Sequence, residues 1–275
     1  MEKATLDALK AKAKEIRTLT IEEIGNLGSG HIGGAMSIAD VLTLLYHHTM
    51  KIDPSNPAWD GRDYLVVSKG HAGPVVYAVL ASRGFFPADW LKTLNQGGTK
   101  LPSHCDRVLT PGIDMTAGSL GQGFSAAMGI AMGLKMDDKP NRVYTIIGDG
   151  ESDEGQIWEA AMFAAAKGLT NITAFTDYNK QQLDGYVKDI LDLGDLPAKW
   201  KAFGWFTQEV DGHDIEALEK AVEAAAAQKE KPSMIIMHTI KGKGCSFAEG
   251  IEKNHSMVFN MDKAQEAIAA LNAAG

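Results

Sequence analysis

The 275-residue sequence predicts an α/β protein of three layers, a mostly parallel sheet with helices on both faces. Three observations lead there. Short apolar runs at 143–147, 172–175 and 233–239 have the length of buried strands. An alanine-rich apolar pattern long enough for a helix separates the first two. Each run stops at or just before a hydrogen-bonding side chain, Asp149, Asn179 or Lys241. A parallel sheet gathers such residues beyond its carboxyl edge, where open α/β sheets bind ligands.

The rest of the chain fits that class. Residues 6–24 carry Leu6, Leu9, Ala13, Ile16, Leu19, Ile21 and Ile24 on one helical stripe, with lysines and glutamates opposite. This helix runs into Gly28-Ser29-Gly30-His31-Ile32-Gly33-Gly34, formally a GxGxxG. It follows a helix rather than a strand, so it is not read as a dinucleotide fingerprint. His31 projects from the loop instead. Ser37 is expected to cap a helix over 38–48. A strand at 64–67 meets Ser68-Lys69-Gly70-His71-Ala72-Gly73 and a helix from 74 to 82, a strand-to-helix turn suited to phosphate.

Residues 95–117 have little periodicity, and an irregular loop of that length is usually functional; His104 is its chemical candidate. Gly118-Ser119-Leu120-Gly121-Gln122-Gly123 then opens a small-residue helix over 124–136. Beyond the central unit, 181–195 reads as a polar loop, 195–203 and 214–228 as helices, 205–210 as a strand, and 262–271 as a last helix. Ile240-Lys241-Gly242-Lys243-Gly244 places lysines among glycines after a strand, again suited to an anion. No internal repeat or linker divides the sequence, so one domain over 1–275 is expected.

Composition narrows the function. A net charge of −8 argues against broad nucleic-acid binding. Only Cys105 and Cys245 are present, too few for a disulfide scaffold, and no apolar stretch approaches a membrane span or signal peptide. The expectation is a soluble, cytoplasmic protein. Asp149 and Asn179 offer hard oxygen ligands, which suit Mg²⁺ or Ca²⁺ rather than zinc. Because Mg²⁺ keeps waters and favours ligand phosphates, one carboxylate, one carboxamide and nearby lysines imply a bound diphosphate.

Gly148-Asp149-Gly150, followed roughly 28 residues on by Asn179, resembles the thiamine-diphosphate motif in its transketolase version. Gly30-His31, Ser68-Lys69-Gly70-His71-Ala72, Gly118 to Gly123 and Thr239 to Gly244 resemble transketolase in the same order. The resemblance implies that Asp149, Asn179 and the Gln181 backbone carbonyl hold Mg²⁺ or Ca²⁺. It implies that His71, Gly150 and Lys241 hold the diphosphate, with Lys69 beside them, and that Gly118 and Leu120 contact the cofactor's rings. His31, His104 and His255 match active-site histidines, although Ser256 follows His255 where the family commonly has glycine. Glu154 resembles a glutamate in a relay between paired sites.

The implied activity is transfer of a two-carbon ketol unit from a ketose phosphate to an aldose phosphate. No residue matches the glutamate that activates the cofactor, which the family carries on a pyrimidine-binding domain. The expectation is therefore the N-terminal subunit of a split transketolase, forming an α₂β₂ heterotetramer with a C-terminal transketolase subunit. Alternatives are a subunit of a 2-oxo-acid dehydrogenase or deoxyxylulose-phosphate synthase type enzyme, or a non-catalytic cofactor-binding module.

Overall fold

A computed structural model describes residues 1–274. In chain order the elements are α1 (Lys3–Leu27), β1 (Ser29–Gly30), α2 (Ile32–Met36), α3 (Ala39–Leu44), β2 (Tyr64–Val67), α4 (Gly73–Arg83), α5 (Gln122–Met136), β3 (Val143–Gly148), α6 (Gly155–Ala166) and β4 (Ile172–Tyr178). Then follow α7 (Val187–Ile190), α8 (Leu196–Ala202), β5 (Phe206–Asp211), α9 (Ile215–Ala227), β6 (Ser233–His238), β7 (Met257–Val258) and α10 (Met261–Ala273). Strands β2, β3, β4, β6 and β5 form, in that order, a five-stranded sheet in which every pairing is parallel. A separate antiparallel ribbon joins β1 to β7.

The strand residues alternate between two cores, as the two-residue period of a strand requires. Leu65, Val67, Tyr144, Ile146, Phe175, Ile235 and Met237 face a core shared with α1, α2, α3, α4, α9 and α10. Val66, Val143, Ile147, Ile172, Ala174, Met234 and Ile236 face a second core with α5, α6 and α8. Because both faces are covered, the strands read as continuous apolar runs rather than alternating ones. In the second core Trp200 and Trp205 pack edge to face, 5.1 Å between ring centroids, with Phe124 5.9 Å from Trp200. Burying each large side chain contributes about 1.5–3 kcal/mol.

Several local expectations shift. Ser37 caps no helix: its hydroxyl donates, at 2.7 Å, to Asp177 Oδ2. A buried carboxylate is a stronger acceptor than the start of a helix is a need. The helix expected over 38–48 divides into α3 and a wider π-turn at Leu45–Thr49. The polar loop at 181–195 contains the single turn α7. Real side-chain caps are Asp195, Asp214 and Asn260, each accepting a backbone N–H from the first turn of its helix.

Parallel pairing puts the carboxyl ends of β2, β3, β4 and β6 side by side: Gly148 sits opposite Asp177, and Tyr178 opposite His238. The loops that leave these ends, with those after α1 and before β7, converge above the sheet edge. Gly70 lets the turn after β2 touch the loop before α5. A Cβ there would lie 2.1 Å from the Ala117 carbonyl oxygen, so only glycine fits.

Candidate active site

Asp149 directly follows the last residue of β3 and is 2% exposed. Its Oδ1 accepts the Gly150 N–H at 2.8 Å and its Oδ2 the Lys180 N–H at 2.5 Å. Burial first, and the nearby charge of Asp177 second, push its carboxyl up to about 7 despite those donors. Such a group is held in a place where negative charge calls for a cation.

On β4, Asp177 is fully buried, and Asn179 lies just past the strand end. The Asn179 Nδ2 donates to Asp177 Oδ2 at 2.9 Å, while its Oδ1 accepts the Gln181 N–H at 3.0 Å. After β6, the Lys241 ammonium donates to the carbonyls of Gln181 (3.2 Å) and Gln182 (3.3 Å). Burial lowers Lys241 to about 8, with Asp149 opposing. After β2, the Lys69 ammonium, 2% exposed, donates to Asp177 Oδ2 at 2.6 Å and Gly34 O at 2.7 Å.

Glu151 ties the loops together. Its Oε1 accepts from Ser68 Oγ (2.5 Å) and the Gly121 N–H (2.8 Å), and its Oε2 from the Gly148 N–H (3.1 Å). Gly121 itself adopts φ +83°, the left-handed turn that brings Gly118 and Leu120 over the cleft before α5 begins.

Four histidines from four loops face one another across this cleft. Ring centroids separate His31 from His71 by 5.5 Å, from His104 by 5.6 Å and from His255 by 5.3 Å. His71 and His255 lie 4.6 Å apart. Burial lowers all four, His71 to well below the usual range, and brings His255 to about 4, where Lys241 adds to the effect. At neutral pH these imidazoles are uncharged and able to accept a proton. The Nδ1 of His255 is buried without a hydrogen-bond partner.

The cleft they enclose holds about 240 Å³ and is lined by the histidines at one part and by Gly118, Leu120, Asp149, Asn179, Gln181 and Lys241 elsewhere. Thus every sequence candidate lines one cavity except Glu154, which is exposed at the start of α6. Sequence reasoning passed over Asp177 and Glu151. Their signal was an acidic residue two positions from each proposed anchor, Asp177 before Asn179 and Glu151 after Asp149.

Residues 8–272 match the family described as "Transketolase, thiamine diphosphate binding domain". The chain belongs to the transketolase family. It is 57% identical over 267 residues to the 6-deoxy-6-sulfo-D-fructose transketolase subunit SqwG of Clostridium sp. (strain MSTE9), covering 97% of each chain. To an apulose-4-phosphate transketolase subunit of Phocaeicola vulgatus it is 35% identical, over 96% of this chain and 93% of that one. The transketolase of Campylobacter jejuni superposes with a TM-score of 0.91 at 30% identity over 97% of this chain. The chain spans 43% of that transketolase's length. The strand-end cleft is therefore that of a thiamine-diphosphate-binding fold.

The donor set also bears on a metal. Among the described residues no group of three or more His, Cys, Asp or Glu side chains is placed to hold one unaided. A carboxylate (Asp149), a carboxamide oxygen (Asn179) and the Gln181 carbonyl are all hard oxygens. That partial set fits a divalent cation completed by phosphate oxygens and water.

Proposed function

We propose that residues 1–275 form the single diphosphate-binding domain of a split transketolase and work with a second chain. The single observation that carries this is four imidazoles facing a hard-oxygen, lysine-flanked strand edge in one cleft. The relatives named as subunits, matched over nearly their whole length, support the division into two chains.

In this reading Asp149, Asn179 and the Gln181 carbonyl hold Mg²⁺ or Ca²⁺. His71, the Gly150 N–H and Lys241 hold the diphosphate. Gly118 and Leu120 pack on the rings. When bound, thiamine diphosphate supplies the electron sink that allows the carbon–carbon bond beside a ketose carbonyl to break. His31, His104 and His255 bind the sugar hydroxyls; uncharged, one accepts the proton released as that bond breaks and returns it to the acceptor's carbonyl oxygen. Glu154, exposed beside the cleft, faces a second copy and links the paired sites in an α₂β₂ assembly. The partner's pyrimidine-binding domain supplies the activating glutamate.

For the donor we propose an anionic ketose, with 6-deoxy-6-sulfo-D-fructose the first to assay, because the relative at 57% identity is named for it. Among the described residues no helix is long and apolar enough to cross a membrane. The two buried free thiols, Cys105 and Cys245, suit a reducing cytoplasm.

The test mixes the purified chain with thiamine diphosphate, Mg²⁺, a ketose donor and an aldose phosphate, with and without the co-purifying chain from its own cell. Ketol transfer is expected only with both chains. Full transfer by this chain alone, or turnover of 2-oxo acids in place of ketoses, contradicts the reading.

A further inference from the structure

A carboxamide presents an oxygen on one side and an amino group on the other, and only the oxygen ligates a hard cation. At Asn179 the choice between them is made by Asp177. An ionised carboxylate only accepts hydrogen bonds, so the group Asn179 turns toward it must be the amino end. The oxygen is thereby left for the Gln181 N–H and the cleft.

Asp177 is itself held from four directions. Lys69 Nζ donates to it at 2.6 Å, Ser37 Oγ at 2.7 Å and Asn179 Nδ2 at 2.9 Å, and the Thr239 hydroxyl donates to its other oxygen. These donors come from the ends of β2, α2, β4 and β6. The carboxylate is 0% exposed and Lys69 is 2% exposed, so the pair has no water to compete for it. A second bond to Gly34 O leaves only one of the three Lys69 ammonium protons for the cleft that the residue lines.

We propose that Asp177, neutralised by Lys69, is a positioning residue that aims the Asn179 carboxamide oxygen at the cation site, and that Lys69 serves the cofactor through Asp177. This rests on the reading above that Asn179 ligates a divalent cation. Outer partners of this kind typically change metal affinity about 10–100-fold.

The test uses the tagged full chain purified with whatever it assembles with in its own cell. Free Mn²⁺ is counted by electron paramagnetic resonance at saturating thiamine diphosphate, with melting temperature followed alongside. Asp177→Asn keeps the shape but offers an amide, so residue 177 no longer requires the amino end of Asn179 and only the Gln181 N–H still favours that orientation. Mn²⁺ affinity is expected to fall about 10–100-fold. The paired exchange Asp177→Asn with Asn179→Asp keeps one carboxylate and one carboxamide, and a carboxylate at 179 has no wrong end. It is expected to recover most of the lost affinity, which a merely structural role for Asp177 would not allow.

The exchange is decisive even where Asp177→Asn alone fails to fold: strong Mn²⁺ binding supports the proposal, and lost binding in a folded protein overturns it. Unchanged affinity in a folded Asp177→Asn protein also overturns it. Absence of thiamine-diphosphate-linked Mn²⁺ binding in the unsubstituted protein is a different result, and removes the cofactor reading beneath it.

Discussion

His71 and His255 stand with ring centroids 4.6 Å apart, one from the turn after β2 and the other from the loop before β7. Neither position is close to the other in sequence, and the contact exists only because the parallel sheet and the β1–β7 ribbon deliver both loops to one place. Two protonated imidazoles at that distance would repel, and burial already disfavours charging either.

The histidine cluster therefore predicts acid sensitivity. Its folded-state values lie below the usual 6.5, so the unfolded chain binds protons first as pH falls. Stability is fully present above about 6.5 and declines as pH drops toward the value of about 4 held by His255. Buried Asp149, pushed up to about 7, contributes with the opposite sign over the same window, so the cluster's share is read by difference. Urea midpoints measured from pH 7 to pH 5 should fall less steeply in His255→Gln than in the unsubstituted protein, and equal slopes contradict the arrangement.

Arg17 and Asp40 make a second, structural prediction. The guanidinium donates twice, at 2.9 and 2.5 Å, to Asp40, and once to Lys243 O. The Ile240 N–H donates to His213 Nε2, so His213 Nδ1 carries its proton and donates to Asp40 at 2.8 Å. Burial works against the Asp40 charge, but Arg17 and His213 outweigh it and hold the carboxyl below its usual value. Arg17→Met leaves that buried charge short of its main partner, and equilibrium unfolding should lose about 3–5 kcal/mol. The contribution of Asp40 itself should persist above about pH 4 and vanish only as pH falls through its depressed value.

Gly70→Ala tests the contact between the β2 turn and the loop that carries His104. The added methyl meets Ala117 backbone at 2.1 Å, which cannot swing aside as a flexible side chain would. A loss of about 1–3 kcal/mol is expected, together with weaker cofactor binding, since His71 and Gly118 flank the strained contact. Wild-type stability and binding in this variant would show that the two loops are free of one another.

Much of this site was legible in the sequence because it depends on short-range patterns. Asp149 and Asn179 each follow a short apolar run, and parallel strands leave such residues on one edge. Lys241 follows the same rule after β6. What could not be read is what needs the strand order. Asp177 gathers Ser37, Lys69, Asn179 and Thr239, and no local spacing connects those positions. For that reason Ser37 read as a helix cap and Lys69 as a simple phosphate lysine. The π-turn after α3 escaped for a different reason: 38–48 carries a helical apolar pattern throughout, and the widening at Leu45–Thr49 leaves no mark in that pattern.

The most direct test of the central claim is cofactor binding by Asp149→Ala. Thiamine diphosphate is titrated into the chain purified with its cellular partner, with Mg²⁺ and again with a chelator, and binding is read by calorimetry. The account predicts metal-dependent binding in the unsubstituted protein and a loss of at least about tenfold in affinity on substitution. Metal-dependent binding that survives Asp149→Ala unchanged would contradict it.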